Sequence, residues 1–83
     1  MMVVRKGDNV ILAEGKTEKS FVVLGFTKSH AKLADKKNYE HSVSQNGEYC
    51  TMRYGYKAFP LQSSGIQTGF WKLLKCVNGT QVS

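Results

Sequence analysis

Apolar residues along this chain come in short runs separated by turn residues, a pattern typical of β-strands. Residues 9–13 and 20–27 are the clearest runs, and both are rich in β-branched or aromatic side chains. The second run is apolar on both faces, which predicts either a central strand buried on both sides or a strand that passes through a tight barrel. Gly25 within that run predicts a β-bulge or a barrel corner.

Weaker patterns follow in the middle of the chain. Residues 31–33 and 39–43 are interpreted as further strands. An Asn-Gly pair at residues 46–47 predicts a β-hairpin that leads into a strand over residues 49–56. Residues 67–77 fit either a short helix or a strand, because their apolar positions match both periods.

Short strands with turns at regular intervals are typical of a small β-barrel. Since 83 residues suffice for one domain, we predict a single domain over residues 1–77 and a flexible tail over 78–83. The fold class is mainly β: a small barrel of about five strands, with room for one short C-terminal helix. The expected core residues are Val10, Leu12, Phe21, Val23 and Leu24.

Charge is distributed unevenly around a net value of +6. Residues 1–48 contain eight basic and six acidic residues, whereas residues 49–83 contain four basic residues and no acidic one. A basic, acid-free segment rich in aromatic residues favours a polyanionic partner. The alternative is a solvated basic surface that only confers solubility.

The segment at residues 53–59 combines three aromatic rings with two cations. If it forms a strand, Tyr54 and Tyr56 share one face about 7 Å apart, as a platform on which unpaired bases could stack. The alternative is that both tyrosines belong to the core, because aromatic residues are favoured in any strand.

This segment resembles the ribonucleoprotein motif of RNA-recognition and cold-shock domains, in which a basic residue precedes alternating glycine and aromatic residues. Tyr54-Gly55-Tyr56 and Phe59 match that spacing. The glycine expected before the first aromatic residue is absent, and Lys57 replaces an aliphatic residue. The resemblance implies RNA or single-stranded DNA as ligand.

Two functions follow from these features. The first is non-enzymatic binding of single-stranded nucleic acid, in which cations neutralise phosphates and rings stack on bases. The alternative is an accessory protein that binds and inhibits a host protein through the same side chains, because Trp, Tyr and Arg dominate protein interfaces. The candidate binding residues are Arg53, Tyr54, Tyr56, Lys57, Trp71, Lys72 and Lys75.

The first half of the chain carries a second resemblance, over residues 5–37. Its residues are Lys6-Gly7-Asp8-x-Val10, then Gly15, then Thr27-Lys28-x-x-Ala31-x-Leu33. This pattern resembles small barrels of the Src-homology-3 and ribosomal KOW type, and most of all short bacteriophage proteins. It implies the barrel fold, and the phage likeness implies action in the host cytoplasm against defence or transcription machinery. The fold alone does not decide function, because it hosts many binding activities.

Catalysis is not expected. Residues 5–8 are similar to the start of barrel-shaped toxin endoribonucleases of the Maz and Ccd class, but the Arg-Pro-aliphatic run of that family is absent. His30 and His41 have no acidic residue at an evident partner spacing. We therefore predict a protein that is not an enzyme.

Metal, cofactor and membrane are also not expected. Cys50 and Cys76 could join His30 and His41 in a zinc site, but zinc ligands normally come in closely spaced pairs. We predict reduced cysteines, no metal and no cofactor. No apolar run approaches the roughly 20 residues that span a bilayer, and no secretion signal opens the chain, so we expect a soluble cytoplasmic protein.

Overall fold

A computed structural model describes residues 4–62, 65–66 and 72–77, most of them in antiparallel strands. The strands are β1 (Asn9–Glu14), β2 (Thr17–Phe26), β3 (His30–Asp35), β4 (Lys57–Gln62), β5 (Gly65–Ile66) and β6 (Lys72–Val77). Helix α1 (Lys36–Asn46) and the four-residue helix α2 (Thr51–Tyr54) lie between β3 and β4. The strand order is β5-β4-β3-β2-β1-β6.

Strands β1 to β4 curl into a half-barrel, which confirms the mainly β prediction. The core lies on one face of these strands, because strand side chains alternate. Phe21 of β2 and Phe59 of β4 meet edge to face in this core, with 5.6 Å between ring centroids. The buried core cluster is Val10, Leu12, Phe21, Val23, Ala31, Leu33 and Phe59.

Leu24 is the one predicted core residue that is only half-buried. The register between β2 and β3 shifts between Val23 and Gly25, so that Leu24 is the extra residue of a bulge. The predicted bulge at Gly25 is therefore confirmed, and it is the reason why Leu24 leaves the core.

Strand β2 is central in the strand order, and it is buried on both faces at Phe21, Val22 and Val23, as its apolar pattern predicts. Val22 points away from the core cluster, yet it is buried and pairs with the buried Ala34 of β3. Helix α1 contacts both of these strands. The sequence pattern predicts this second apolar face of β2, and α1 is the helix that contacts the two strands that carry it.

The predicted strand over residues 39–43 is wrong, because these residues belong to α1. Asp35 caps the helix: its Oδ1 accepts hydrogen bonds from the backbone N–H groups of Lys37 at 3.0 Å and Asn38 at 3.4 Å. Gly47 ends the helix with φ +78°, and its N–H donates to the carbonyl of Val43. The Asn-Gly pair therefore terminates a helix and makes no hairpin.

The predicted strand over residues 49–56 is also wrong, because Thr51–Tyr54 forms α2 and a turn follows before β4. At the C-terminal end, Lys72–Val77 forms a strand antiparallel to β1, so the strand interpretation of that segment holds there. Within the described ranges, the short helix lies in the middle of the chain instead of near its C-terminus. The predicted tail at 78–83 lies outside the described residues.

The opening Lys-Gly-Asp sequence forms a turn that ties the N-terminal segment to β2. Asp8 is buried, and its Oδ2 accepts a hydrogen bond from the Arg5 N–H at 2.8 Å. Gly7 has φ +93°, a left-handed conformation that favours glycine. The N–H of Gly7 donates to the Val23 carbonyl, and the N–H of Val23 donates to the Asp8 carbonyl. This motif accordingly has a structural role.

A tyrosine-lined groove as the candidate functional site

A concave surface among the described residues lies where the segment between β3 and β4 crosses one end of the half-barrel. It has a volume of about 270 Å3 and opens to solvent. We call it the tyrosine groove. It is lined by Phe21, Leu33, Asp35, Asn38, Tyr49, Tyr54, Gly55, Tyr56 and Lys57.

One wall of the groove belongs to a cluster of rings held by α1 and α2. Tyr39 of α1 stacks on Tyr49, with centroids 5.7 Å apart and ring planes at 18°. Tyr49 packs against Tyr54 at 5.9 Å, and His41 of α1 meets Tyr54 edge to face at 6.2 Å. We call these four residues the tyrosine cluster. Each of its contacts lies within the 4.5–7 Å range of favourable aromatic pairs.

Tyr49 is held in place by its hydroxyl, which donates a hydrogen bond to the Gly55 carbonyl at 2.6 Å. Burial raises the pKa of Tyr49, and the negative charge of Asp35 raises it further. The phenol therefore stays protonated at neutral pH and keeps its role as donor. This bond fixes the ring against the turn that carries Tyr56.

Ser42 joins α1 to the segment that follows it. Its side chain is fully buried, and its Oγ donates to the Glu48 carbonyl and accepts from the Cys50 N–H, both at 2.8 Å. A single hydroxyl thus satisfies two backbone groups where the chain leaves the helix. Tyr49 lies between these two residues, so Ser42 also positions the ring that lines the groove.

Gly55 lies between Tyr54 and Tyr56, the two tyrosines that the sequence pattern predicts on one strand face. Its backbone angles, φ +68° and ψ −167°, belong to a region that is essentially restricted to glycine. Tyr54 before it is half-buried in the tyrosine cluster, whereas Tyr56 after it is 51% exposed. The two rings therefore have different surroundings and do not form a strand platform.

Positive charge surrounds the exposed wall of the groove. Nζ of Lys32 lies 5.5 Å from the centroid of the Tyr56 ring, within cation–π range. Lys57 lines the groove at the start of β4, opposite Leu33 of β3. Arg53 is exposed on α2, with its guanidinium carbon 5.9 Å from the centroid of Tyr54.

The structure therefore brings four of the predicted binding residues to one region: Arg53, Tyr54, Tyr56 and Lys57. Lys72 and Lys75 lie on β6, in register with Ala13 and Ile11 of β1. Trp71 lies outside the described residues.

Several groove residues were not predicted from the sequence. Asp35, Asn38 and Tyr49 reach the groove because α1 and the segment after it fold back over the end of the sheet. No local sequence pattern predicted this arrangement. Lys32 reaches Tyr56 across the β3–β4 pairing. The available signal was the aspartate before residue 36, since Asp is a preferred helix N-cap.

The residues considered for zinc have other surroundings. Nδ1 of His30 lies 2.7 Å from the Ser29 hydroxyl, and His41 packs on Tyr54. Cys50 is a free, half-buried thiol. Among the described residues, no group of three or more His, Cys, Asp or Glu side chains is placed to hold a metal ion.

Comparison with known protein families, curated proteins and solved structures finds no significant match to this chain. In the part of the chain that the structure describes, no helix has the length and apolar character needed to cross a membrane. The chemistry of the tyrosine groove is accordingly the basis for assigning a function.

Proposed function

We propose that this protein binds single-stranded nucleic acid, without catalysing a reaction, through the tyrosine groove and the cations around it. The observation that carries the proposal is the half-exposed ring of Tyr56 beside Lys32 and Lys57, on a groove lined by two further tyrosines. Proteins that bind single strands without strict sequence preference combine stacking rings with cations that follow the backbone.

The rings supply the stacking part of this recognition. Tyr56 has an accessible ring, and it faces a groove whose other wall is the tyrosine cluster. A base stacked on an aromatic side chain contributes about 1–3 kcal/mol. The cluster contributes rigidity, because its members are already packed and lose little freedom when a ligand binds.

The cations supply the electrostatic part. Lys36 and Lys37 begin α1, next to the groove residues Asp35 and Asn38, and the first turn of the helix contains no acidic residue. Lys32 and Lys57 lie at the groove itself, so that cations are present on more than one side of it. Cations placed in this way can neutralise the phosphates of a bound strand.

We also propose that the half-barrel closes into a complete small barrel. Strands β5 and β6, at the two ends of the strand order, contact one another. This contact supports closure of the half-barrel into a small barrel of the Src-homology-3 type. A closed barrel would give the groove a rigid support, which is the arrangement that small nucleic-acid-binding barrels use.

A fluorescence anisotropy titration with a labelled, mixed-sequence single-stranded oligonucleotide tests the proposal. Replacing Tyr56 with Ala should weaken binding by about 1–3 kcal/mol, or roughly 5- to 150-fold. Met52→Ala is the matched control, because Met52 is 99% exposed on α2 and does not line the groove. Wild-type protein that shows no measurable binding would refute the proposal.

Binding to a host protein is the second candidate function, and the exposure of Met52 favours it. An exposed methionine next to Arg53 is the kind of side chain that adapts to a protein surface. Under this alternative, Met52→Ala should reduce capture of a protein from nuclease-treated lysate. Under the main proposal, the same substitution leaves oligonucleotide binding unchanged.

A further inference from the structure

We infer that the tyrosine groove takes one unpaired base and selects guanine through the carboxylate of Asp35. The inference rests on the proposed function, since it assigns a base preference to the same site. It is carried by one feature that phosphate binding and stacking do not use: an acidic side chain among the residues that line the groove.

The size of the groove limits its occupant. A volume of about 270 Å3 lies just below the roughly 300 Å3 at which pockets for drug-sized ligands begin. One planar base fits such a space, whereas two stacked nucleotides do not. The sugar and phosphate would stay at the rim, where Lys57 and Lys32 provide positive charge.

The interior of the groove suits a flat aromatic ligand. Tyr49, Tyr54 and Tyr56 provide ring surface, and the buried side chains of Phe21 and Leu33 lie beneath it in the core. These side chains hold any base about equally well, because every base has a stacking face. Discrimination between bases must therefore come from the polar groups.

Asp35 is the acceptor that can discriminate. Its Oδ1 is fixed by the backbone N–H groups of Lys37 and Asn38, and among the described residues its Oδ2 accepts no hydrogen bond. The carboxylate is therefore oriented by the helix end and keeps an oxygen for a ligand. An ionised carboxylate only accepts hydrogen bonds, so it favours a base edge that presents donors.

Guanine presents the most suitable edge for this acceptor. Its N1–H and its N2 amino group lie side by side, and hydrogen bonds to a charged acceptor are about twice as strong as neutral ones. Adenine and cytosine offer one amino group each next to a ring acceptor. Thymine offers one N–H between two carbonyl oxygens, which a carboxylate repels. The side-chain amide of Asn38, which also lines the groove, can donate to O6 of guanine.

The test uses thymine oligonucleotides of equal length with a single central G, A, C or T, titrated against the full chain by fluorescence anisotropy. Wild-type protein should bind the central-G oligonucleotide roughly 10- to 150-fold more tightly than the all-thymine one, because N1–H and the N2 amino group can both donate to the charged Oδ2. Asp35→Asn and Asp35→Ser should abolish this preference. Both replacements keep a good N-cap for α1 and remove the charge.

Each outcome separates the two proposals. Equal affinity of wild-type protein for all four oligonucleotides would overturn the guanine inference and leave the proposed function standing. Retention of the guanine preference in both folded variants would overturn the role of Asp35. No binding to any oligonucleotide would overturn the proposed function itself, and the inference with it. We expect both variants to lose the guanine preference. They should bind the all-thymine oligonucleotide as tightly as wild-type protein does, or slightly more tightly.

Discussion

Tyr54 and Tyr56 show how one residue changes the meaning of a sequence motif. Their spacing predicts two rings on one strand face, but the positive φ of Gly55 turns the chain between them. Tyr54 belongs to the tyrosine cluster, whereas Tyr56 forms an exposed wall of the groove. The core interpretation therefore describes Tyr54, and the binding-surface interpretation describes Tyr56.

The two tyrosines should therefore respond differently to truncation. Tyr54→Ala removes contacts with Tyr49 and His41, and it should lower the free energy of unfolding by about 1–3 kcal/mol. Tyr56→Ala should change it by no more than about 0.5 kcal/mol, as is usual for exposed positions. Urea denaturation of both variants measures the difference. Equal destabilisation would show that Tyr56 also supports the fold.

Tyr49 predicts a stability change at alkaline pH. Its raised pKa means that the unfolded chain loses the phenol proton first as pH rises above the ordinary value of about 10. The stabilising effect of the protonated phenol is complete below that pH and declines as pH rises towards the pKa of the folded state. Tyr49→Phe should show a smaller loss of stability than wild-type protein as pH rises from about 9 to about 11, a range that spans the ordinary pKa of about 10. Parallel losses in the two proteins would contradict this assignment.

Among the helices and strands, α1 is an element that the sequence pattern did not predict. Its exposed positions are mostly polar, so it has no apolar period to distinguish it from a loop or an edge strand. Its stability comes from the Asp35 cap, the Gly47 end and the buried hydroxyl of Ser42. Strands β1 and β2 were recognisable from their apolar runs, whereas the contacts that stabilise α1 are hydrogen bonds between residues two to eight positions apart, which leave no apolar pattern in the sequence.

Two serines of α1 provide a matched test of this account. Ser42→Ala leaves a buried carbonyl at Glu48 and an N–H at Cys50 without their partner, and it should cost about 1–3 kcal/mol of unfolding free energy. Ser44 is exposed, and its hydroxyl donates to the His41 carbonyl within the same helix, so Ser44→Ala should cost close to nothing. Thermal denaturation of the two variants gives the comparison, and a neutral Ser42→Ala would refute the role of this hydroxyl.

For the molecule as a whole, the core was predictable and the groove was not. Val10, Leu12, Phe21 and Val23 alternate on strands, so their burial follows from local sequence. The groove forms where β2, β3, α1, α2 and β4 meet, and only the fold brings Asp35 and Tyr49 next to Tyr56. The bulge that removes Leu24 from the core likewise depends on pairing with β3.

A pair of leucines tests this view of the core. Leu33 is fully buried, and Leu33→Ala should lower the free energy of unfolding by about 2–5 kcal/mol. Leu24 is half-buried at the bulge, so Leu24→Ala should cost clearly less. Denaturant titrations of both variants decide the order. The reverse order would mean that the register between β2 and β3 differs from the one described.

The measurement that tests the central claim most directly is the salt dependence of single-stranded oligonucleotide binding. For wild-type protein the logarithm of the association constant should fall linearly with the logarithm of salt concentration, because bound phosphates release counterions. Tyr56→Ala should give a parallel line at lower affinity, since it removes stacking only. Lys57→Ala should give a shallower line, by about 0.7 in slope. Binding that is independent of salt, or a Tyr56→Ala line that coincides with wild type, would contradict the account.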